Sequence, residues 1–305
     1  MSTSDQQTAL VTAAFGKRGK LLTDTGEQHA FLLKGRKLKP VCGDLVQWSR
    51  PQDGAEVILE NIEPRRNTLL RSGHKGAGDA LAANLDVILV VMAIEPKPDF
   101  YLTDRYIAGA ESMGSTPVIV HNKADLGSSD ALDSELARYK TLGYQVITAS
   151  SAKRAGVEEI AAALSGNKGI LVGQSGVGKS SLINALIPDA DVAVSELSSG
   201  TLEGKHTTTA SMMHRIAETD SGDGWLIDSP GVRDFLPYFA DTRSVQSGFI
   251  EIEETAQQCR FANCQHLREP NCAVKNGAEN GTINARRYES YKRLYHMTEQ
   301  AQPAP

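Results

Sequence analysis

Four short motifs occur in an order that leaves few folds open. Asn122-Lys123-Ala124-Asp125 and Ser151-Ala152-Lys153 precede Gly173-Gln174-Ser175-Gly176-Val177-Gly178-Lys179-Ser180, which precedes Asp228-Ser229-Pro230-Gly231. Each follows an apolar run of strand length, so each falls at the carboxyl end of a buried parallel strand, where open α/β sheets bind ligands. Sites assembled from these motifs usually place the phosphate loop first and the base-reading loops last. Here the order is rotated, and the spacing predicts a circularly permuted α/β sheet with strands at 87–94, 117–120, 145–148, 168–172 and 225–227.

The phosphate half has the local context that its chemistry needs. Glycines at 173, 176 and 178 let backbone N–H groups converge on phosphates at a helix N-terminus, where the helix adds partial positive charge. The loop runs on into Ser181. Lys179 is expected to neutralise β- and γ-phosphate oxygens, and the Ser180 hydroxyl to ligate Mg²⁺. Asp228, at the end of a second apolar strand, suits a carboxylate that holds the same ion, with the Gly231 N–H facing the γ-phosphate. Between them lies Gly204-Lys205-His206-Thr207-Thr208-Thr209, and Thr207 or Thr208 is the candidate third Mg²⁺ ligand on a closing loop.

The other half discriminates the base. Asp125 can accept from N1–H and the exocyclic amine of guanine together, whereas adenine offers no such pair, so GTP is expected over ATP. Asn122 would brace this loop, the Lys123 stem would cover one face of the base, and backbone N–H groups near Ser151-Ala152 would meet the guanine O6. Many GTPases place a glutamine directly after the glycine of Asp-x-x-Gly to orient water, but Val232 stands there. Slow intrinsic turnover is expected, accelerated by His206 or by a group from a partner. Such assistance is worth about 10³ to 10⁵ in rate.

Composition bounds the rest. The 305 residues suffice for two or three domains, and 40% hydrophobic with 23% charged residues is globular composition. No apolar run approaches the roughly 20 residues of a membrane span, and the polar N-terminus has no apolar signal core, so a cytoplasmic protein is expected. Net charge is -5, yet residues 1–75 carry 12 Lys and Arg against 8 Asp and Glu, while the remainder carries 20 against 29. The basic groups cluster at Lys17, Arg18 and Lys20, at Lys34, Arg36, Lys37 and Lys39, and at Arg65, Arg66, Arg71 and Lys75, a patch able to track phosphates. Short strands at 9–14, 29–33, 44–48 and 57–62, punctuated by glycines, predict a small antiparallel β-barrel of the oligonucleotide-binding (OB) type. Cys42 stands alone and reads as a small apolar residue.

Cys259-x4-Cys264-x-His266-x5-Cys272 supplies three thiolates and an imidazole, a closed tetrahedral set for one structural Zn²⁺. Helices at 244–258 and 284–297 are expected to flank it.

Taken together, the motif order, the basic barrel, the His-Thr-Thr loop and the Cys-Cys-His-Cys cluster resemble the family of bacterial ribosome small subunit-dependent GTPases. The resemblance implies an OB-fold domain at residues 1–70, a permuted P-loop GTPase domain at 71–240 and a helical zinc domain at 241–305. It further implies a monomer that binds the small (30S) subunit and 16S rRNA, aids late subunit maturation and hydrolyses GTP to GDP when stimulated by the subunit. In that comparison His206 takes the proposed catalytic position. Ser229 departs from the family's commoner threonine at a position not expected to touch nucleotide. Two other readings stand beside this one: a GTP-dependent docking module with negligible hydrolysis, and a P-loop enzyme acting on a small molecule.

Overall fold

The computed structural model describes residues 7–35, 37–51, 56–71, 79–187, 211–219, 222–229 and 237–301. Strands β1 (Gln7–Phe15), β2 (Arg18–Thr23), β3 (Gln28–Leu32), β4 (Leu45–Ser49) and β5 (Val57–Ile62) form a barrel that closes in the order β1-β2-β3-β5-β4-β1, with only β3–β5 parallel. Alternate residues point inward, and Val11, Leu21, Phe31 and Val46 are completely buried, as period-two patterning requires. The sequence reading found four of these strands and missed β2. Its Arg-Gly-Lys start reads locally as turn, but Gly16 at φ +64° closes a hairpin onto β1. A side chain at Gly19 would lie 2.4 Å from the Phe31 ring, so glycine there makes room for the barrel's aromatic core.

Six strands build the larger sheet: β8 (Val87–Met92), β9 (Thr116–His121), β10 (Gln145–Thr148), β11 (Lys168–Gly173), β12 (Ser211–Thr219) and β13 (Gly222–Asp228), in the order β10-β9-β8-β11-β13-β12. All are parallel except β12, which pairs antiparallel with β13. β12 also meets β1 through Ala13–Met212 and Ala14–Ser211, so barrel and sheet are continuous. Two helices, α1 (Phe100–Ser112) and α2 (Asp130–Thr141), cover one face over Ile88, Val90 and Ile119. The other face, with Leu89, Val91 and Leu171, packs on α3 (Val157–Ala163) and α4 (Lys179–Leu186).

A hairpin of β6 (Thr68–Arg71) and β7 (Asp79–Ala83), unforeseen from sequence, lies between barrel and sheet and straddles residue 70. Asn67 pins its base, donating to Leu85 O and accepting from Leu85 N–H, both at 2.8 Å. Three arginines of the expected basic patch have acidic partners within the chain. Arg65 grips the fully buried Asp44 carboxylate at 2.7 and 2.8 Å, Arg66 bonds Asp86 and two backbone carbonyls, and Arg71 pairs with Asp79. These arginines brace the junction. Lys17, Arg18, Lys20, Lys34, Lys37 and Lys39 remain exposed on the barrel.

The C-terminal part contains α5 (Thr242–Ser247), α6 (Ile250–Ala256), α7 (Ala273–Asn280) and α8 (Ala285–Ala301). The single helix expected over 244–258 is broken at Gly248. A Cβ there would sit 2.5 Å from Ala108 O, so α1 crosses close enough to require glycine, and Phe249 next to it takes an extended backbone that starts the new helix. Docking onto α1 and α2 is ionic and buried. Arg287, with no exposed surface, donates to Asp104 at 2.9 Å and to both oxygens of Glu251 at 2.5 and 3.0 Å, while Arg286 bonds Asp104 and Glu135. Burial alone would discharge Arg287, but the Asp104 and Glu251 carboxylates outweigh it and raise its pKa. Arg287→Ala leaves Glu251 without its guanidinium and takes one of two arginines from Asp104 in a buried interface, and is expected to cost about 3–5 kcal/mol, measured by urea denaturation.

Candidate functional site

The four motifs converge at the carboxyl edge of the sheet. β11 ends at Gly173 with φ +142°, where a Cβ would lie 2.2 Å from Val91 O, so only glycine lets the chain turn past β8. Gly176 and Gly178, at φ +83° and +92°, complete a left-handed loop that opens α4. Lys179 is buried with its Nζ 2.7 and 2.8 Å from the carbonyls of Gly173 and Gln174, which places the ammonium across the loop that contains it. Ser180 and Ser181 occupy the first turn of α4.

Asn122 ties the halves together. Its Nδ2 donates to Val177 O at 2.9 Å, and its Oδ1 accepts the Ser151 N–H at 3.2 Å, so one fully buried amide links the loops after β9, β10 and β11. A Cβ on Gly178 would lie 2.4 Å from the same Nδ2. Asn122→Ala leaves a carbonyl and an N–H unpaired, and is expected to destabilise the nucleotide-free chain by about 1–3 kcal/mol, as checked by chemical denaturation.

Next in the loop, Lys123 adopts φ +59° and its Nζ donates to Glu95 O at 3.0 Å, which lays its stem along the rim. Asp125 is exposed, and Ser150 Oγ donates to its Oδ1 at 2.5 Å. That bond holds the Asp125 pKa below the usual carboxylate range, with Lys153 and Lys123 adding to the effect. Ser150 also accepts the Lys153 N–H at 3.2 Å, so it shapes the Ser151-Ala152-Lys153 turn and orients Asp125 at once. Sequence reasoning passed over Ser150, although its place beside Ser151 at the strand end was a usable signal. Arg154, also overlooked, donates to Ala185 O at 3.0 Å and closes the carboxyl end of α4.

Asp228 ends β13 opposite Met212, next to β11 in the sheet, and Ser211 Oγ donates to Ser229 Oγ at 2.7 Å behind it. His206, Thr207, Thr208, Gly231 and Val232 lie outside the described residues. No helix among the described residues is long and apolar enough to cross a membrane.

Away from this edge, Cys259, Cys264, His266 and Cys272 bring their ligand atoms within 4.8 Å of one another. Nδ1 of His266 faces Cys272 Sγ at 3.3 Å and Cys259 Sγ at 3.5 Å, and the latter two sulfurs are 3.8 Å apart. Metal–sulfur bonds of about 2.3 Å in a tetrahedron require sulfurs about 3.8 Å apart, so the cluster fits a four-coordinate ion. The loop is held by Glu269, which accepts N–H bonds from Gln265, Leu267 and Arg268 at 2.7, 3.0 and 3.0 Å. Burial would raise the Glu269 pKa, but these bonds outweigh it and lower it. From α8, Tyr288 and Tyr291 donate their hydroxyls to the carbonyls of His266 and Gln265 at 2.6 and 3.0 Å.

A family model described as RsgA GTPase matches residues 62–236, more than half of the chain. The chain belongs to the RsgA GTPase family. It is therefore a GTP hydrolase, and its family relatives agree over nearly its whole length. It is 39% identical over 296 residues to the small ribosomal subunit biogenesis GTPase RsgA of Azotobacter vinelandii, covering 95% of this chain and 85% of that protein. The RsgA of Hahella chejuensis is 41% identical over 257 residues, 83% and 72% of the two chains. Among solved structures, YjeQ from Thermotoga maritima superposes with a TM-score of 0.74 at 29% identity, covering 96% of this chain and 98% of the other. YloQ, a circularly permuted GTPase, gives a TM-score of 0.71 at 24% identity over 98% and 97% of the two chains, which supports the permuted fold of this RsgA GTPase.

Proposed function

We propose that this chain binds the small ribosomal subunit and its 16S rRNA in the cytoplasm, as a monomer, and hydrolyses GTP with subunit-stimulated turnover during late maturation. The observation that carries this reading is the Asn122 bridge, which joins base-reading and phosphate-holding loops into one pocket despite the rotated motif order. The relatives named above carry the link to subunit biogenesis in their names. The permuted GTPase domain spans residues 71–240, with the RNA-binding barrel before it and the zinc domain after it.

In this reading, Asn122 to Asp125 and Ser151 to Lys153 hold guanine, and backbone N–H groups from Gly173 to Ser181 hold the phosphates. Lys179 balances phosphate charge. Ser180, in the first turn of α4 after β11, and Asp228, at the end of the neighbouring β13, offer oxygen ligands that suit Mg²⁺, with Thr207 or Thr208 as a further ligand. The bound ion offsets charge developing on the β- and γ-phosphate oxygens. Water attacks the γ-phosphorus, the bond to the β–γ bridging oxygen breaks, and GDP and phosphate leave. The Gly231 N–H faces the γ-phosphate, and His206 positions the water, a task that Val232 cannot perform. The Cys₃His cluster holds Zn²⁺ in a purely structural role, since four protein ligands leave no open position.

The test is phosphate release with purified 30S and 50S subunits, with Lys179→Ala as control. Selective stimulation by 30S, lost in the variant, is expected. Equal rates with and without 30S would leave a docking module in place of a stimulated enzyme.

A further inference from the structure

The metal cluster forms one wall of a groove that its structural role does not use. Between α5, α6 and the metal loop lies a cavity of about 360 Å³, within the size range of small-ligand sites. Cys259, Cys264 and His266 of the cluster line one side, and Arg243, Gln246, Glu253, Gln257, Arg260 and Phe261 line the rest, with the Glu253 carboxylate engaged by Gln246 and Arg243. Phe261 is 42% exposed, an unusual position for a phenylalanine on a folded loop, and the Arg260 guanidinium lies 5.5 Å from its ring centroid. Gln246 is almost fully buried and is fixed by a 2.7 Å bond from its Nε2 to Glu253, which Arg243 also contacts at 3.2 Å. The wall therefore holds polar groups in place before any ligand arrives.

A second observation points to a ligand. His266 is 1% exposed, its Nδ1 faces the sulfurs, and its Nε2 is buried with no hydrogen-bond partner among the described residues. Metal-ligating histidines almost always donate the other ring N–H to an acceptor. This imidazole belongs to the cavity lining, so a shift of the metal loop around an occupant would give Nε2 the acceptor it lacks.

We propose that this cavity takes one unstacked base of single-stranded RNA, with the ring of Phe261 and the guanidinium of Arg260 as its stacking platform. The proposal rests on the RNA-partner reading above. An exposed aromatic face flanked by guanidinium groups, beside amides that can meet a base edge, is the chemistry by which single strands are held. A protein helix would instead need an aliphatic groove with repeating anchors. Beyond Phe261, the cavity's apolar lining is little more than Ala256 and Ala262. Stacking tolerates any base, so little sequence preference is expected.

The experiment irradiates the full chain, saturated with GDP, with a uridine decamer carrying 4-thiouridine, and maps the crosslinked peptides. A crosslink within residues 257–268 is expected in the native chain and in Phe261→Trp, and a loss of about fivefold or more in Phe261→Leu. Metal content and subunit-free GTP turnover establish that each variant is folded. Absence of the crosslink in the native chain overturns the proposal. So does an undiminished crosslink in Phe261→Leu, which would show that the ring does not stack on the base. Failure of 30S to stimulate turnover while the crosslink persists would remove the subunit-stimulated reading and leave this site standing.

Discussion

An Asp125→Asn variant is expected to lose guanine-nucleotide affinity by about 10⁴-fold and to gain affinity for xanthosine nucleotides. The carboxylate accepts from two donors on the guanine edge. An amide turns one of those interactions into donor against donor, whereas xanthine presents a carbonyl at that position. The geometry sharpens this expectation, because Ser150 donates to Asp125 Oδ1 and holds the group ionised below the usual carboxylate range. Ser150→Ala leaves the carboxylate in place without its orienting bond, and a weaker loss with no swap of base is expected. Calorimetry with GDP and xanthosine diphosphate separates the outcomes. An Asp125→Asn chain that binds both as the native chain does would refute the assignment of this pocket to guanine.

Removal of the metal from the Cys₃His cluster is expected to unfold the loop from Cys259 to Cys272 together with α7. Apparent binding of structural zinc in small domains is worth about 10 to 16 kcal/mol, more than a module of this size gains from packing. Burial pushes the Cys264 thiol up to about 12 and raises Cys272, so without a cation these sulfurs stay protonated and neutral. Nothing then pulls three sulfurs and an imidazole into one cluster. The amino-terminal half of α8 has a separate anchor, since Arg286 and Arg287 bind Asp104 and Glu135 on α1 and α2. Hydrogen exchange after chelation should therefore accelerate across 259–283 and leave α1 and α2 protected. Unchanged protection in 259–283 would show that the cluster does not stabilise the module.

The same ionic dock bears on how nucleotide state reaches the C-terminal helices. The chain leaves β13 at Asp228 and is next fixed at Pro237 and Tyr238, where Arg105 on α1 donates to Pro237 O at 3.1 Å and Tyr238 N–H bonds Leu70 O at 3.2 Å. These two bonds hold the start of the helical module to α1 and β6.

Much of this was legible from sequence because the informative features are local. Strand ends, glycines and loop polarity occur within a few residues of one another, so β8 to β11 and the phosphate loop were found to within two residues at each end. β13 was found only in its apolar centre, and β12 was not found. β2 was hidden because Arg18, Gly19 and Lys20 favour no strand by themselves and gain their conformation from β1 and β3. The need for glycine at 248 was hidden because it comes from contact with Ala108, which lies 140 positions earlier in the sequence. The carboxylate partners of Arg65, Arg66 and Arg71 were not legible, because charge spacing says nothing about which carboxylates fold back to meet a basic run.

By itself, the sequence determined the chemistry: guanine-type and phosphate-type motifs in a rotated order, a Cys₃His ligand set, and an apolar strand before each nucleotide motif. These depend on residue type and short spacing, which survive any arrangement of the rest. Only the tertiary structure decided that one buried amide, Asn122, joins three loops, that β12 merges barrel and sheet, and that α8 is clamped by acids from α1 and α2. Each of these joins residues far apart in the chain, and which distant partners meet is settled by the packing of the whole molecule.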